Sequence, residues 1–184
     1  MKYFNYDSVV STNDTAKELL LAQPNILADG YVVTANTQTQ GRGTHGRDWY
    51  SKDVGGLYYS LAIKPKFFNV NDLDVYHIDI AKAVQTVVKD ITDITLDIKP
   101  PNDLFLKGKK VAGILMESSL RSNLDVPNLN YLVIGIGLNV NQIDFPVPLE
   151  SIATSLALHV NQTFNIKDFI QPLTGQIISG VSFL

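Results

Sequence analysis

No cysteine occurs anywhere in the 184 residues. That excludes disulfides, thiolate metal ligands and a cysteine nucleophile, and it fits a reducing compartment. Positive charge is not in excess either. Fifteen Lys and Arg stand against 18 Asp and Glu, a formal net charge of −3. A strongly basic face is the usual footprint of nucleic-acid binding, so no nucleic-acid partner is expected. Long apolar runs are missing. No stretch approaches the ~20 residues of a membrane span, and Asp7 interrupts the N-terminal run before a signal-peptide core can form. There is no internal repeat and no low-complexity segment. What remains is a chain that is 45% hydrophobic, enough for one domain with a real core. It reads as a soluble cytoplasmic protein with no internal domain boundary.

Periodicity gives the elements. Ser11-Thr12-Asn13-Asp14 matches a capping box ahead of a helix-forming run, Ala16 to Leu21, which Pro24-Asn25 closes. Tyr31 to Ala35 is β-rich. Residues 36–48 are polar, contain Gly41, Gly43 and Gly46, and read as a loop. Leu57, Tyr59, Leu61 and Ile63 alternate as in a half-buried strand that Pro65 stops. Tyr76, Ile80, Ala83, Val84, Val87, Val88 and Ile91 keep helical spacing, which predicts a helix over roughly 75–91. Ile94, Leu96 and Ile98 alternate again. Leu104–Leu106 and Val111–Met116 flank Lys107-Gly108-Lys109-Lys110 as an antiparallel hairpin. Tyr131–Val140 is a glycine-rich strand, and 121–130 reads as a surface loop. Short helices are expected near Ile152–Leu158 and Ile166–Ile178, the latter with Pro172 in its first turns or at a kink. Hairpins beside helices predict an α+β fold with a mixed, largely antiparallel sheet.

Four segments could carry chemistry. Gly41-Arg42-Gly43-Thr44-His45-Gly46-Arg47, with Trp49 just after, frees backbone N–H groups and adds two guanidinium forks suited to carboxylate or phosphate. The alternative is a solvated hairpin loop. It lacks the Gly-Lys-Ser/Thr ending of a Walker A loop, and no helix follows it as a dinucleotide fingerprint requires. Lys99-Pro100-Pro101-Asn102-Asp103 is a stiff turn. Asp103 there could ligate Mg²⁺, and Asn102 could meet a base or an amide; an ordinary Pro-Asn-Asp turn explains it equally. Lys110 opens the apolar strand Val111-Ala112-Gly113-Ile114-Leu115, either as a point charge in a pocket or as a lysine reaching for water. Gly135-Ile136-Gly137-Leu138-Asn139-Val140 spends glycine in a strand, which suggests that something approaches the backbone closely, or else a bulge.

In this order the segments resemble the biotin–protein ligases. Gly41–Arg47 is similar to their glycine–arginine biotin loop, and Lys99–Asp103 to their lysine–tryptophan–proline–asparagine–aspartate motif. Lys110–Leu115 resembles their lysine–x–glycine-type strand, Gly137-Leu138-Asn139 their glycine–x–asparagine strand, and Ser11-Thr12-Asn13 their N-terminal serine–threonine–asparagine. The resemblance covers about residues 8–160. It implies a core with helices on one face of the sheet, related to class II aminoacyl-tRNA synthetases. It also implies roles. Ser11, Thr12, Asn13, Gln38, Gly41, Arg42, Gly43, Lys110 and Gly113 would surround biotin. Arg42 and Lys110 would hold its carboxylate and then the phosphate. Lys99, Asn102, Asp103 and Asn139 would face ATP, with Asp103 on Mg²⁺ and Lys99 sharing in charge neutralisation.

The activity so implied is ATP-dependent formation of biotinyl-AMP and transfer of biotin to a lysine of a biotin carboxyl carrier protein or domain. Three departures stand out. Pro100 takes the tryptophan position, Thr44 and His45 stand where basic residues are common, and after Leu184 there is no counterpart of the family's small C-terminal β-barrel. An N-terminal DNA-binding module finds no room before Ser11 either. Two other readings stay open: a lipoate or octanoate ligase on the same fold, and a core that binds biotin or biotinyl-AMP with little turnover. The sequence leaves the carrier's identity and a homodimer open.

Overall fold

The computed structural model describes residues 1–23, 30–65, 69, 72–121 and 128–180. The strands among them are β1 (Lys2–Val9), β2 (Tyr31–Gln38), β3 (Gly56–Ile63), β4 (Asp97–Lys99), β5 (Asp103–Leu106), β6 (Lys109–Arg121) and β7 (Asn128–Asn139). The α-helices are α1 (Thr12–Ala22), α2 (Leu73–Thr92), α3 (Val147–Glu150), α4 (Ala157–Val160) and α5 (Ile170–Gly180). The strands form one sheet in the order β1-β2-β3-β7-β6-β5-β4. β1 runs parallel to β2, and every other neighbouring pair is antiparallel. This is the mixed, largely antiparallel sheet that the hairpin pattern predicts.

Period-2 alternation divides the sheet into two faces. Leu57, Tyr59, Leu61 and Ile63 of β3 and Leu132, Ile134, Ile136 and Leu138 of β7 pack with Tyr76, Ile80, Val84, Val87 and Val88 of α2 and with Leu173 and Ile177 of α5. Tyr59 is fully buried, and its hydroxyl lies 2.9 Å from the Thr174 hydroxyl, which ties the strand to α5. Asp93, at φ 59°, closes α2 in the left-handed conformation, and Lys89 reaches its carboxylate at 2.6 Å. Helices α2 and α5 therefore share one face, as expected. The first helix departs from that expectation. Ala16 of α1 packs with Tyr31, Val33, Ala62 and Val133, side chains of the opposite face. The Tyr31 phenol donates to the Ala16 carbonyl at 2.5 Å, and burial pushes its pKa up to about 12. The space beside α1 on this second face becomes the site.

Several boundaries differ from the sequence reading. β1 was not foreseen. Its residues are mostly exposed, so it lacks the apolar alternation that marks a strand, and it is held by pairing along β2. The strand around Ile94–Ile98 shrinks to three residues. Residues 152–156 are not helical, because their backbone pairs with β6: the Lys110 amide donates to the Ile152 carbonyl at 2.8 Å, and the Thr154 amide to the Lys110 carbonyl at 2.9 Å. Helix falls on either side, in α3 and α4. A 3-10 turn, Ile166–Phe169, precedes α5, and Pro172 occupies its first turn. β6 and β7 extend into the stretch read as a loop; residues 122–127, like Pro24-Asn25, lie outside the described residues.

Candidate active site

The second face is nearly bare of side chains where β6 meets β7. Gly113 pairs with Gly137, and Gly135 with Leu115. A Cβ on Gly135 would stand 2.9 Å from Asn13 Nδ2. One on Gly137 would stand 2.5 Å from Trp49 Nε1, and one on Gly113 3.1 Å from Trp49 Cζ3. The glycines thus admit the Asn13 amide and the Trp49 indole against the sheet. The same Trp49 Nε1 is buried and has no hydrogen-bond partner among the described residues.

A polar wall closes the inner end. Ser11, Thr12, Asn13, Gln38 and Ser60 are all buried. Gln38 Oε1 accepts from the Thr12 amide at 2.8 Å and from the Thr12 hydroxyl at 3.1 Å. Ser60 Oγ bonds Asn13 Oδ1 at 2.5 Å and the Thr12 hydroxyl at 2.8 Å. The predicted capping box does not form. Ser11 sits at the N-cap, but its side chain makes no capping bond. Gln38 serves a free N-terminal amide in its place, and Asp14 turns to cations.

Those cations are Arg42 and Lys17. Arg42 donates through both terminal nitrogens to Asp14, at 2.5 and 2.6 Å. Lys17 lies 2.9 Å from Asp14 and 3.0 Å from Glu117. The hydrogen bond from Arg42 is the main reason that the Asp14 carboxyl falls from 3.8 to about 2, with Lys17 assisting and partial burial opposing. Loop 41–49 is also bonded internally. Gly43 N donates to Arg47 O at 2.7 Å and Trp49 N to Gly41 O at 2.9 Å, around an Arg42–Asp48 bridge.

Lys110 stands opposite. Its Nζ is 2.6 Å from Asp103 Oδ1 and 5.4 Å from the centre of the Trp49 ring. Two cavities meet there. The inner one, 40 Å³, is lined by Ser11, Thr12, Asn13 and Gln38 at its polar end. The outer one, 230 Å³, is walled by Tyr50, Phe145, Leu149 and Ile152. Gly43, Thr44, Trp49 and Lys110 line both. A polar slot and an apolar-walled slot joined at a lysine suit a reaction between two bound molecules, with the cation at the junction.

A sequence profile of the biotin/lipoate A/B protein ligase family matches residues 6–139. The chain belongs to that family. It is 35% identical over 168 residues to the bifunctional ligase/repressor BirA of Bacillus subtilis, covering 90% of this chain and 49% of that protein. It is 31% identical over 154 residues to the biotin–[acetyl-CoA-carboxylase] ligase of Mycobacterium tuberculosis, covering 82% and 54%. The chain thus spans about half the length of these curated relatives. Among solved structures, the biotin protein ligase from Aquifex aeolicus in complex with biotin and ATP superposes with a TM-score of 0.79 at 30% identity, over 97% of this chain and 69% of that one.

For a member of this ligase family, the structure gathers most of the expected residues. Ser11, Thr12, Asn13, Gln38, Arg42, Gly43, Asn102, Lys110 and Gly113 line the inner cavity, and Asn139 the outer. Gly41 lies outside both linings. It is packed where a Cβ would stand 2.6 Å from the Trp49 carbonyl, so it shapes the loop. Lys99 lines neither cavity. It is exposed, with Nζ 4.9 Å from the centre of the Phe105 ring. Asn102 and Asn139 spend their amide nitrogens on the Ile114 and Thr154 carbonyls. Among the described residues, no three His, Cys, Asp or Glu gather as a metal site. The sequence reading missed Asp14, Lys17, Ser60 and Glu117 as site residues. Ser60 was recoverable, since alternation sets it opposite Tyr59 and Leu61. Glu117 was not, because nothing local ties it to α1.

Proposed function

We propose that this chain is the catalytic core of an ATP-dependent biotin–protein ligase. The observation that carries the reading is the placement of Lys110 at the junction of the two cavities. Biotin enters the inner cavity with its ureido ring on Ser11, Thr12, Asn13 and Gln38, and ATP enters the outer cavity. The carboxylate of biotin attacks the α-phosphorus, the bond to the bridging oxygen breaks, and pyrophosphate leaves. The mixed anhydride biotinyl-AMP remains. A neutral lysine amine of a carrier domain then attacks its carbonyl carbon, AMP leaves with the anhydride electrons, and the amine proton passes to solvent.

Two anions must approach in the first step. Lys110 neutralises the charge that builds on the carboxylate and phosphate oxygens, and Asp103 aims it. The Thr44 backbone amide completes the cradle, while the Gly43 amide holds the loop together through the Arg47 carbonyl. Mg²⁺ would arrive with ATP as part of the substrate and neutralise phosphate charge, and Asp103 is the carboxylate that would offer it a hard oxygen ligand. Water is kept from the anhydride by loop 41–49. A cytoplasmic location fits a reaction that consumes ATP, and no described helix is long and apolar enough to cross a membrane.

The buried polar wall also favours biotin over lipoate. A ureido ring can add hydrogen bonds to these groups, which already pair with one another, whereas a dithiolane offers them none. The test is incubation with ATP, Mg²⁺ and a carrier domain, with biotin or lipoate, followed by intact-mass measurement of the carrier. A biotin adduct is expected. An adduct with lipoate alone overturns the substrate, and no adduct or pyrophosphate with either overturns the ligase.

A further inference from the structure

Arg42 was expected to grip the ligand, yet its guanidinium is already engaged. Both terminal nitrogens face the two Asp14 oxygens, in the bidentate geometry that makes arginine–carboxylate pairs strong. A second carboxylate, Glu117, stands 3.9 Å from Arg42 and 3.0 Å from Lys17, which returns to Asp14 at 2.9 Å. Two cations and two anions close a neutral ring among the loop, α1 and β6. Glu117 also accepts from Asn13 Nδ2 at 2.7 Å, which joins the ring to the polar wall. We propose that Asp14 is a positioning residue: through Arg42 it pins loop 41–49 to α1, and so sets how tightly the loop backbone retains the acyl adenylate. The proposal rests on the ligase reading for its ligand, but not for its geometry.

Three features support an anchor. The helix end that carries Asp14 is itself fixed, by Gln38 on the Thr12 amide and by Tyr31 on the Ala16 carbonyl. Arg42 is the first residue of the loop's own bridge with Asp48, so holding its side chain holds the backbone that leads into Gly43 and Thr44. These two residues line both cavities. Arg42 and Asp14 are only 36% and 26% exposed, and they belong to a network, so the pair is worth more than an isolated surface salt bridge.

The test uses Asp14→Asn, Asp14→Glu and the exchanged pair Asp14→Arg with Arg42→Asp. In the ligand-free protein, amide hydrogen exchange over 41–49 should quicken in Asp14→Asn and return toward wild type in Asp14→Glu or the exchanged pair. Biotinyl-AMP should dissociate about three- to tenfold faster from Asp14→Asn. The KM for biotin should rise by more than kcat falls. Slower release or tighter biotin binding in Asp14→Asn would mean that Arg42 is a ligand cation that Asp14 restrains, and would overturn the proposal. Unchanged exchange and release would overturn it as well. A wild-type protein that forms no adenylate sinks the ligase reading alone, because the exchange comparison needs no ligand.

Discussion

Gly137 has no side chain because the Trp49 indole occupies the place of its Cβ, 2.5 Å away at Nε1 and 2.8 Å at Cζ2. Only 40 Å³ of cavity is left beside this contact, against the ~300 Å³ and more of ordinary small-ligand pockets. An occupant larger than a few waters has to shift the indole or extend into the outer cavity. Trp49 is also the only tryptophan in the chain, so its emission reports on the site without background.

Gly137→Ala should push the indole out. Overpacking of this kind costs about 1–3 kcal/mol, and the emission maximum should move toward the solvent-exposed value. Adding biotin to wild type should change the emission as well. Wild-type emission and melting temperature in Gly137→Ala would show that the glycine does not serve the indole.

Lys110→Ala should leave the fold intact and slow adenylate formation by ~10²–10³, the usual cost of removing one group that stabilises developing charge. Pyrophosphate release within a few-fold of wild type would make Lys110 a surface lysine with an incidental partner in Asp103.

Asp103→Asn should raise the Mg²⁺ concentration needed for half-maximal pyrophosphate release more than it weakens biotin binding. The loss combines a hard oxygen ligand with the carboxylate that aims Lys110 at 2.6 Å. A Mg²⁺ titration that moves by less than about twofold would remove Asp103 from the cation.

The Asp14–Arg42 pair predicts an acid transition. The Asp14 carboxyl is held down to about 2 in the folded chain, from an ordinary 3.8. The folded state therefore binds that proton less readily than the unfolded one. The stabilisation is complete above about pH 5 and fades as pH falls from about 4 toward 2. The stability gap between wild type and Asp14→Asn, from denaturant unfolding, should shrink over this window and vanish near its lower end. A gap constant from pH 5 to 2 would mean that the carboxylate charge contributes nothing.

What could be read from the sequence follows from range. The α2 stripe, the β3 alternation and the hairpin Leu104–Met116 are local patterns, and each appears close to its expected place. The motif residues Thr12, Lys110 and Gly113 were legible through their order along the chain, and they line one cavity. β1 escaped because an exposed edge strand has no apolar period. The partners of Arg42 escaped because Asp14 and Glu117 are 28 and 75 positions away in sequence, and a charge seeks its partner in space. Lys99 shows the opposite failure: a basic residue within a good motif points to an aromatic ring outside both cavities.

Thr44 gives the last prediction. It lines both cavities, and its hydroxyl accepts from Arg47 at 3.2 Å on the exposed side of the loop. His45 beside it is exposed at φ 58°. The Arg42 charge is spent on Asp14. Arg47 lines the outer cavity and leans on Thr44. Position 44, which lines both cavities, carries no charge of its own, so release should be faster than from a relative with a basic residue at this position. Thr44→Arg would set a guanidinium at the junction of the cavities, where a charge-assisted bond to the phosphate should slow biotinyl-AMP dissociation by up to the ~1.5–3 kcal/mol typical of a bond to a charged group. The measurement is stopped-flow dissociation at matched fold stability, with Thr44→Gln as the uncharged control for side-chain length. If Thr44→Arg releases the adenylate as fast as wild type, the side chain at 44 faces solvent in the ligand complex. If Thr44→Gln slows it equally, reach rather than charge is responsible.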